Sequence, residues 1–540
     1  MTSESERSSK AASWRRGRRV VLKAGLGAAA GLAVGRALPA AEASSTPDEG
    51  RPMRKPNILL LMADQFRGDC LGADGNGAIR TPSFDRLARE GALFRRAYSS
   101  LPSCTPARAT LLTGLGAWRH GMLGYSRVAL KYAHEMPQML RDAGYYTCGI
   151  GKMHWHPQRS PHGFHKTILD ESGRSETKGF VSDYRQWFKQ QAPDLNPDAT
   201  GIGWNDYQSR PYALPERLHP TVWTADRAVE FLGDYDPNAD GQSARPFFLK
   251  VSFARPHSPY DPPQRFSDLY AKADIPKAVV GEWAERNAMR GRKLPSSTPR
   301  GDLGAEQVRR SRQGYYGSVT FIDEQVGRVL AALEKRGWLD DTLILFTSDH
   351  GDMLGDHHLW RKTYAYEGSA RVPMLIRWPK GLTSAKRGKV IAQCVELRDV
   401  LPTFLDAAGV QWDPVDFDGR SMIDLVRGKT AGWREFIDLE HSTCYWPENQ
   451  WCALTDGHAK YIYGAVDGSE QLFDLDADPG ETTDLAADPA HAHAKTLAKW
   501  RQRMVAHLAP RGEQWVKDGK LMLRKPGMVL GPHYPGRGRG

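Results

Sequence analysis

Apolar residues along this 540-residue chain come in short unbroken runs, and several of these runs stop at residues able to do chemistry. Ile58–Ala63 leads into Asp64-Gln65. Tyr145–Ile150 leads into Gly151-Lys152-Met153-His154. Phe247–Phe253 leads into Arg255-Pro256-His257, and Leu343–Thr347 leads into Asp349-His350-Gly351-Asp352. Runs of this length read as buried strands. Segments with a helical repeat lie between them, at Pro82–Glu90, Thr221–Gly233 and Phe321–Arg336. Alternating strands and helices predict an α/β sheet. Ligands of such sheets collect outside the carboxyl ends of the strands, so the four clusters are expected to converge on one site. One Asp or His after a strand reads equally well as a turn residue. Four such clusters do not.

A fifth piece is Cys104-Thr105-Pro106-Ala107-Arg108, followed by Leu111-Leu112-Thr113-Gly114. Thr105 reads as a helix cap with Pro106 in the first turn, and Gly114 as the stop. Cys104 then sits at a helix N-terminus, where free N–H groups favour anions, with Arg108 one turn away on the same face. An isolated Cys would otherwise read as an inert buried thiol.

Farther along, 155–220 is rich in Trp, Tyr, Pro and Asp with poor periodicity, and reads as a substrate-facing loop region. Phe436–Glu440, Gln450–Leu454, Lys460–Tyr463 and Gln471–Leu475 read as a small sheet, followed by an amphipathic helix from His491 to His507. The expected units are a leader over 1–43, a large domain over 52–430, a small α+β unit over 431–510 and a tail over 511–540 that wraps over the large domain or frays.

Charge changes this picture only at the start. Residues 1–43 hold eight Lys/Arg against three Asp/Glu, and the rest of the chain holds 66 against 60. Mild basicity over so many residues suits an anionic substrate without calling for nucleic acid. Arg15, Arg16, Arg18 and Arg19, the weakly apolar stretch Ala24–Gly35 and the small-x-small pattern Ala41-Glu42-Ala43 read as an export leader. Arg18-Arg19-Val20-Val21-Leu22-Lys23 resembles a bacterial twin-arginine signal, which implies a periplasmic or secreted protein. The leader is too short and Gly-rich to span a membrane, and stable membrane insertion is not expected. The six cysteines form no C-x-x-C pair, which argues against structural zinc. Cys444 and Cys452 could pair if adjacent strands bring them together.

Taken together, these pieces resemble the type I sulfatases of the alkaline-phosphatase-like superfamily. Cys104 through Arg108 with Leu111-Leu112-Thr113-Gly114 resembles the C-x-P-x-R signature of that family. Pro56 through Asp64 resembles its first metal strand, Gly151-Lys152-Met153-His154 its Gly-Lys-x-His element, and Pro256 through Tyr260 its His-x-Pro-Tyr element. Thr347 through Gly351 resembles its second metal strand, Lys362 falls at its second lysine, and Gln471 through Leu475 with Asp478, Pro479 and Glu481 resembles its closing strand. The resemblance covers about 55–510 and implies a large mixed, mostly parallel sheet flanked by helices, with a smaller C-terminal antiparallel sheet plus helix.

It also implies hydrolysis of a sulfate ester. Cys104 would be oxidised to formylglycine by a formylglycine-generating enzyme before export, and the hydrated aldehyde would supply one oxygen to attack sulfur and a second to expel sulfate. One divalent cation would be held by Asp64, Gln65, Asp349, His350 and the modified Cys104, with calcium preferred and manganese or magnesium as alternatives. Arg108 and Lys152 would steady the diol, Lys362 would contact the sulfate oxygens, His257 would protonate the leaving oxygen, and His154 would take a proton from the second hydroxyl. The two histidine roles could be exchanged. Gln65 and His350 depart from the Asp and Asn of many members and match related phosphonate monoester hydrolases. A phosphonate monoester or phosphodiester hydrolase is thus a second reading, and a non-catalytic binder of sulfated glycans a third. The aromatic, polar insertion suits a sulfated carbohydrate substrate.

Other residues carry less. Arg119-His120-Gly121 reads equally as pocket lining or packing. His357-His358 reads as a solvated loop, since no third ligand is evident. Arg309, Arg310 and Arg312 read as a solvated helix face. Trp155, Trp204 and Trp223 could stack on sugars, although core packing is the commoner fate of Trp.

Overall fold

The structure is a computed structural model that describes residues 55–172, 177–239, 241 and 244–536. The leader expected over 1–43 lies outside the described residues. Eight strands form one sheet: β1 (Asn57–Asp64), β2 (Ala92–Phe94), β3 (Tyr146–Gly151), β4 (Lys166–Leu169), β5 (Phe247–Pro256), β6 (Thr342–Ser348), β7 (Met374–Arg377) and β8 (Lys389–Ile391). They lie in the order β4-β3-β5-β1-β6-β7-β2-β8. Only β7 runs against its neighbours; every other pairing in the sheet is parallel.

The unbroken apolar runs are explained by burial on both faces. Ile58 through Ala63 of β1 are 0% exposed, and even the polar residues of β5 and β6 are buried. A fully buried Leu or Ile contributes about 1.5–3 kcal/mol, so the central strands anchor the molecule. Helices α1 (Pro82–Arg89), α3 (Pro220–Asp234) and α4 (Ala305–Lys335) pack with one core cluster, and α2 (Cys104–Thr113) with the other. The segment expected as a helix from Phe321 is the second half of the 31-residue α4.

A separate four-stranded antiparallel sheet consists of β9 (Ile437–His441), β10 (Trp451–Thr455), β11 (Ala459–Gly464) and β12 (Glu470–Asp474), with α5 (Ala494–Leu508) packed against it. The tail is seated on the main body. Leu123 donates its amide to Val529 at 2.9 Å, Gly531 donates to Gly121 at 2.7 Å, and the Tyr534 hydroxyl reaches the Arg127 carbonyl.

Several expectations change. The insertion is not wholly irregular: it contains β4 and a helix over Asp183–Gln191, capped by Ser182. Cys444 and Cys452 are unpaired thiols: Cys452 lies opposite Glu440 in the sheet, and Cys444 lies outside the strands, in the connection from β9 to β10. Arg312 is not on a solvated face. It is buried and paired with Asp356, whereas Arg309 and Arg310 are exposed and pair with Glu306. His357 is buried against the Trp283 ring rather than solvated. Trp155 and Trp223 are core residues.

Candidate active site

Carboxyl ends of four adjacent parallel strands, β3, β5, β1 and β6, deliver the four clusters to one place. At the end of β1 the register with β5 shifts between Ala63 and Asp64, so that Asp64 pairs with Pro256. Such an irregularity re-aims side chains. Here it brings the His257 amide onto the Asp64 carbonyl at 3.0 Å. Gly151 closes β3 at φ 90°, and a Cβ there would stand 2.1 Å from the Ser252 carbonyl oxygen, so only glycine lets β3 approach β5 before Lys152. Gln65, His154, Arg361 and Thr363 all have positive φ without being glycine, a concentration of backbone strain of the kind functional sites hold.

Cys104 opens α2, and every residue of that helix is buried. The cap is Ser103, two residues earlier than the expected Thr105; its extended backbone turns the chain into the helix, and its side chain meets His441 at 2.8 Å instead of bonding the first turn. Gly114 ends the helix in the left-handed region, as the sequence predicted.

The Cys104 sulfur is 3.0 Å from Lys362 Nζ, 3.2 Å from His350 Nε2 and 3.7 Å from Asp64 Oδ1. Burial and Asp64 push its thiol up, yet Lys362, Lys152 and His350 bring it below the ordinary thiol range. Arg108 bonds Asp349 Oδ2 at 2.9 Å, the Lys152 carbonyl at 2.6 Å and Ser252 at 3.2 Å, and lies 3.4 Å from Asp64 Oδ2. Lys152 pairs with the same Asp64 carboxylate. Burial would raise the Asp64 carboxyl, but Lys152, His257, Lys362 and Arg108 hold it well below the usual range.

Donor atoms of Asp64, Cys104, Asp349 and His350 lie within 4.8 Å of one another. The His350 Nδ1 bonds the Gly351 carbonyl at 2.8 Å. A carbonyl only accepts, so Nδ1 holds a proton, and in the neutral imidazole Nε2 is left with its lone pair toward the cluster, the arrangement metal-binding histidines use. Gln65 Nε2 donates to Asp352 Oδ2 at 2.5 Å, and its Oε1 accepts from Lys362 at 3.1 Å. Two anionic carboxylates, an amide oxygen and an oriented imidazole nitrogen form an oxygen-rich set suited to a hard divalent cation.

Burial drives the His257 imidazole well below its ordinary value, with Lys362 adding to the effect. Its Nδ1 bonds the Ser258 carbonyl at 2.9 Å, leaving Nε2 to exchange protons. His154 lies two residues beyond Lys152, its amide held by Glu171 Oε1 at 2.9 Å and its Nε2 3.3 Å from the Tyr125 hydroxyl.

A profile of the sulfatase family matches residues 56–410, and one for the C-terminal part of N-sulphoglucosamine sulphohydrolase matches 355–508. The chain belongs to the sulfatase family. It is an enzyme of the sulfuric ester hydrolase class. An arylsulfatase of Clostridium perfringens (strain 13 / Type A) is 39% identical over 489 residues, covering 88% of this chain and 99% of the relative. A choline-sulfatase of Rhizobium meliloti (strain 1021) is 34% identical over 469 residues, covering 84% and 87%. Among solved structures, the phosphonate monoester hydrolase of Agrobacterium radiobacter superposes with a TM-score of 0.70 at 25% identity, covering 87% of this chain and all of that one.

Some residues of this sulfatase's site had no assigned role in the sequence. Asp352 was visible in the run after β6, but its contact with Gln65 depends on a fold-back across β1 and β6. Tyr260 donates to the same Asp352 oxygen at 2.7 Å, and Glu171 fixes the amides of Met153 and His154. Trp204 sits in the site on His257, whereas core packing was the commoner expectation for it. His120 packs: its ring nitrogens meet Thr110 and the Met122 amide beneath the site. Among the described residues no helix is long and apolar enough to cross a membrane.

Proposed function

We propose that this sulfatase hydrolyses a sulfate ester to an alcohol and inorganic sulfate, with Cys104 converted to formylglycine beside one divalent cation. The observation that carries the reading is the place of Cys104: first residue of a buried helix, with its sulfur against Lys362, His350 and Asp64. An aldehyde at that position, once hydrated, supplies two oxygens in a setting of concentrated positive charge. Asp64, Gln65, Asp349 and His350 would hold the cation, calcium by preference, and when bound it supplies further charge against the sulfate oxygens.

Arg108 and Lys152 steady the diol at Cys104, and Lys362, 3.0 Å from the Cys104 sulfur, contacts the sulfate oxygens. Cations fixed in a water-poor site stabilise charge that grows on those oxygens. His257, whose Nδ1 is committed to the Ser258 carbonyl, serves the leaving oxygen through Nε2; His154 takes the proton from the second hydroxyl. Half-buried Trp204 and the partly exposed rings of Tyr125 and Tyr445 support a sulfated carbohydrate as substrate. The leader over 1–43 belongs to the same proposal, as a twin-arginine export signal used after Cys104 is oxidised.

Mass spectrometry of the peptide spanning Cys104, taken from active enzyme, tests the reading: an aldehyde is expected, and full activity with only free thiol overturns it. The second reading, a phosphonate monoester hydrolase, draws on Gln65 and His350 as donors and on the likeness to the Agrobacterium radiobacter enzyme. Relative turnover of a sulfate monoester and a phosphonate monoester with the same aryl group separates the two.

A further inference from the structure

We propose that Trp204 is a positioning residue for this reaction: its indole sets the plane of the His257 imidazole and the place of the Lys152 ammonium. The inference rests on the reading above, in which His257 serves the leaving oxygen. Indole and imidazole lie face to face, with ring centroids 3.9 Å apart and planes 14° from parallel. Lys152 Nζ lies 4.8 Å from the same indole centroid. One side chain thus touches two groups delivered by different strands, β3 and β5. The Ser258 carbonyl holds one ring nitrogen of His257. A single hydrogen bond leaves a ring free to tilt about it, and a flat aromatic face packed against the ring removes that freedom.

Trp204 is itself held. It lies in a stretch with no apolar period, yet the Arg361 guanidinium bonds the Tyr207 hydroxyl, the Ser297 carbonyl and, at 3.3 Å, the Asn205 carbonyl. Tyr207 stacks on Trp360 with centroids 4.5 Å apart. Arg361 directly precedes Lys362, so adjacent residues anchor the Trp204 loop and reach the Cys104 sulfur. Unlike Trp155 and Trp223, each 1% exposed, Trp204 is only half-buried, which sets it apart from the core tryptophans.

The test compares Trp204→Ala, Trp204→Phe, His257→Ala and the Trp204→Ala/His257→Ala double variant on 4-nitrophenyl sulfate and on phenyl sulfate, the poorer leaving group. Trp204→Ala should lower kcat on phenyl sulfate by roughly tenfold or more, as small misplacements of reacting groups do, with KM within about twofold. Trp204→Phe, which keeps a flat face, should recover most of that loss. Adding Trp204→Ala to His257→Ala should cost clearly less than Trp204→Ala costs alone, because the part exerted through His257 is already lost and only the contact with Lys152 remains to lose. A rise in KM at unchanged kcat would make Trp204 a wall of the substrate pocket instead. Losses that multiply in full in the double variant, with no coupling between Trp204 and His257, would also overturn the proposal. Should Trp204→Ala not fold, Trp204→Leu, apolar but without the flat face, replaces it in the same cycle. Equal loss on both substrates for His257→Ala would remove the leaving-group role, while the cycle still reads the Trp204–His257 coupling.

Discussion

The carboxamide nitrogen of Gln65 lies 2.5 Å from Oδ2 of Asp352, a carboxylate oxygen that also accepts the Tyr260 hydroxyl at 2.7 Å. A carboxylate only accepts, so the amide must present NH2 to Asp352 and its oxygen to the opposite side. The Lys362 ammonium, which only donates, meets that oxygen at 3.1 Å and fixes the same orientation. Asp352 therefore turns Gln65 into an oxygen donor toward the Asp64–Asp349 cluster. Asp352→Ala should leave the amide held by Lys362 alone and weaken divalent-metal affinity about 10- to 100-fold, the usual cost of losing an outer partner. Chelator competition measures it; unchanged affinity would mean that Gln65 is not a ligand.

Asp64 and Asp349 should be harder to replace. Each is fully buried and shares Arg108, and Asp64 also holds Lys152. Asp64→Ala or Asp349→Ala should abolish bound metal and activity together. Each variant also leaves buried cations uncompensated, a defect that typically costs about 3–5 kcal/mol. Gln65→Asp should be milder, since it keeps an oxygen donor and adds negative charge for the cation. Metal analysis of the purified variants is the check, and full metal content in Asp64→Ala would move the site elsewhere.

Beneath the site, burial lowers His120 from 6.5 to about 3. The unfolded chain therefore binds a proton that the folded protein refuses across that window. The contribution of His120 to stability is complete above about pH 6.5 and is lost as pH falls toward 3, at about 1.4 kcal/mol per pH unit. His120→Gln should cost about 1 kcal/mol at pH 7 through its altered bonds to Thr110 and Met122. Below pH 6 the variant should lose stability less steeply than the wild type. Urea unfolding at several pH values measures both slopes, and identical slopes would show that His120 does not carry this linkage.

The strands were legible because burial on both faces leaves unbroken apolar runs: β1, β3, β5 and β6 lie within one or two residues of the runs that announced them, apart from a longer C-terminal end on β5. The residues at their ends were legible for the same reason, since chain polarity alone puts them on one edge of the sheet. What escaped was whatever depends on contacts between distant loops. Arg312 lies in a basic run that resembles a solvated face, and only the fold reveals the buried Asp356 that it meets. Trp204 carries no periodic signal, and its place on His257 is set by Arg361, more than 150 residues away in the chain. Cys444 and Cys452 are close in sequence, but register places Glu440 opposite Cys452.

The two histidines should separate by leaving group. His257 has its Nδ1 committed to the Ser258 carbonyl, so Nε2 is its one site of proton exchange, and Lys362, Asp64 and Lys152 surround it electrostatically. His154 approaches from β3, beside Tyr125. If His257 serves the leaving oxygen, His257→Ala should fail most on sulfates of poor leaving groups such as sugar alcohols, by about 10²–10⁴, the usual worth of such a proton transfer. It should lose far less on 4-nitrophenyl sulfate, whose phenolate departs without a proton. His154→Ala, acting after the ester is broken, should lose about equally on both. Steady-state kinetics of each variant across a series of esters gives the comparison as a slope against leaving-group basicity. A steeper slope for His257→Ala alone fits the assignment. A steeper slope for His154→Ala alone would exchange the two roles, with the Ser258 bond then serving only to hold the His257 ring.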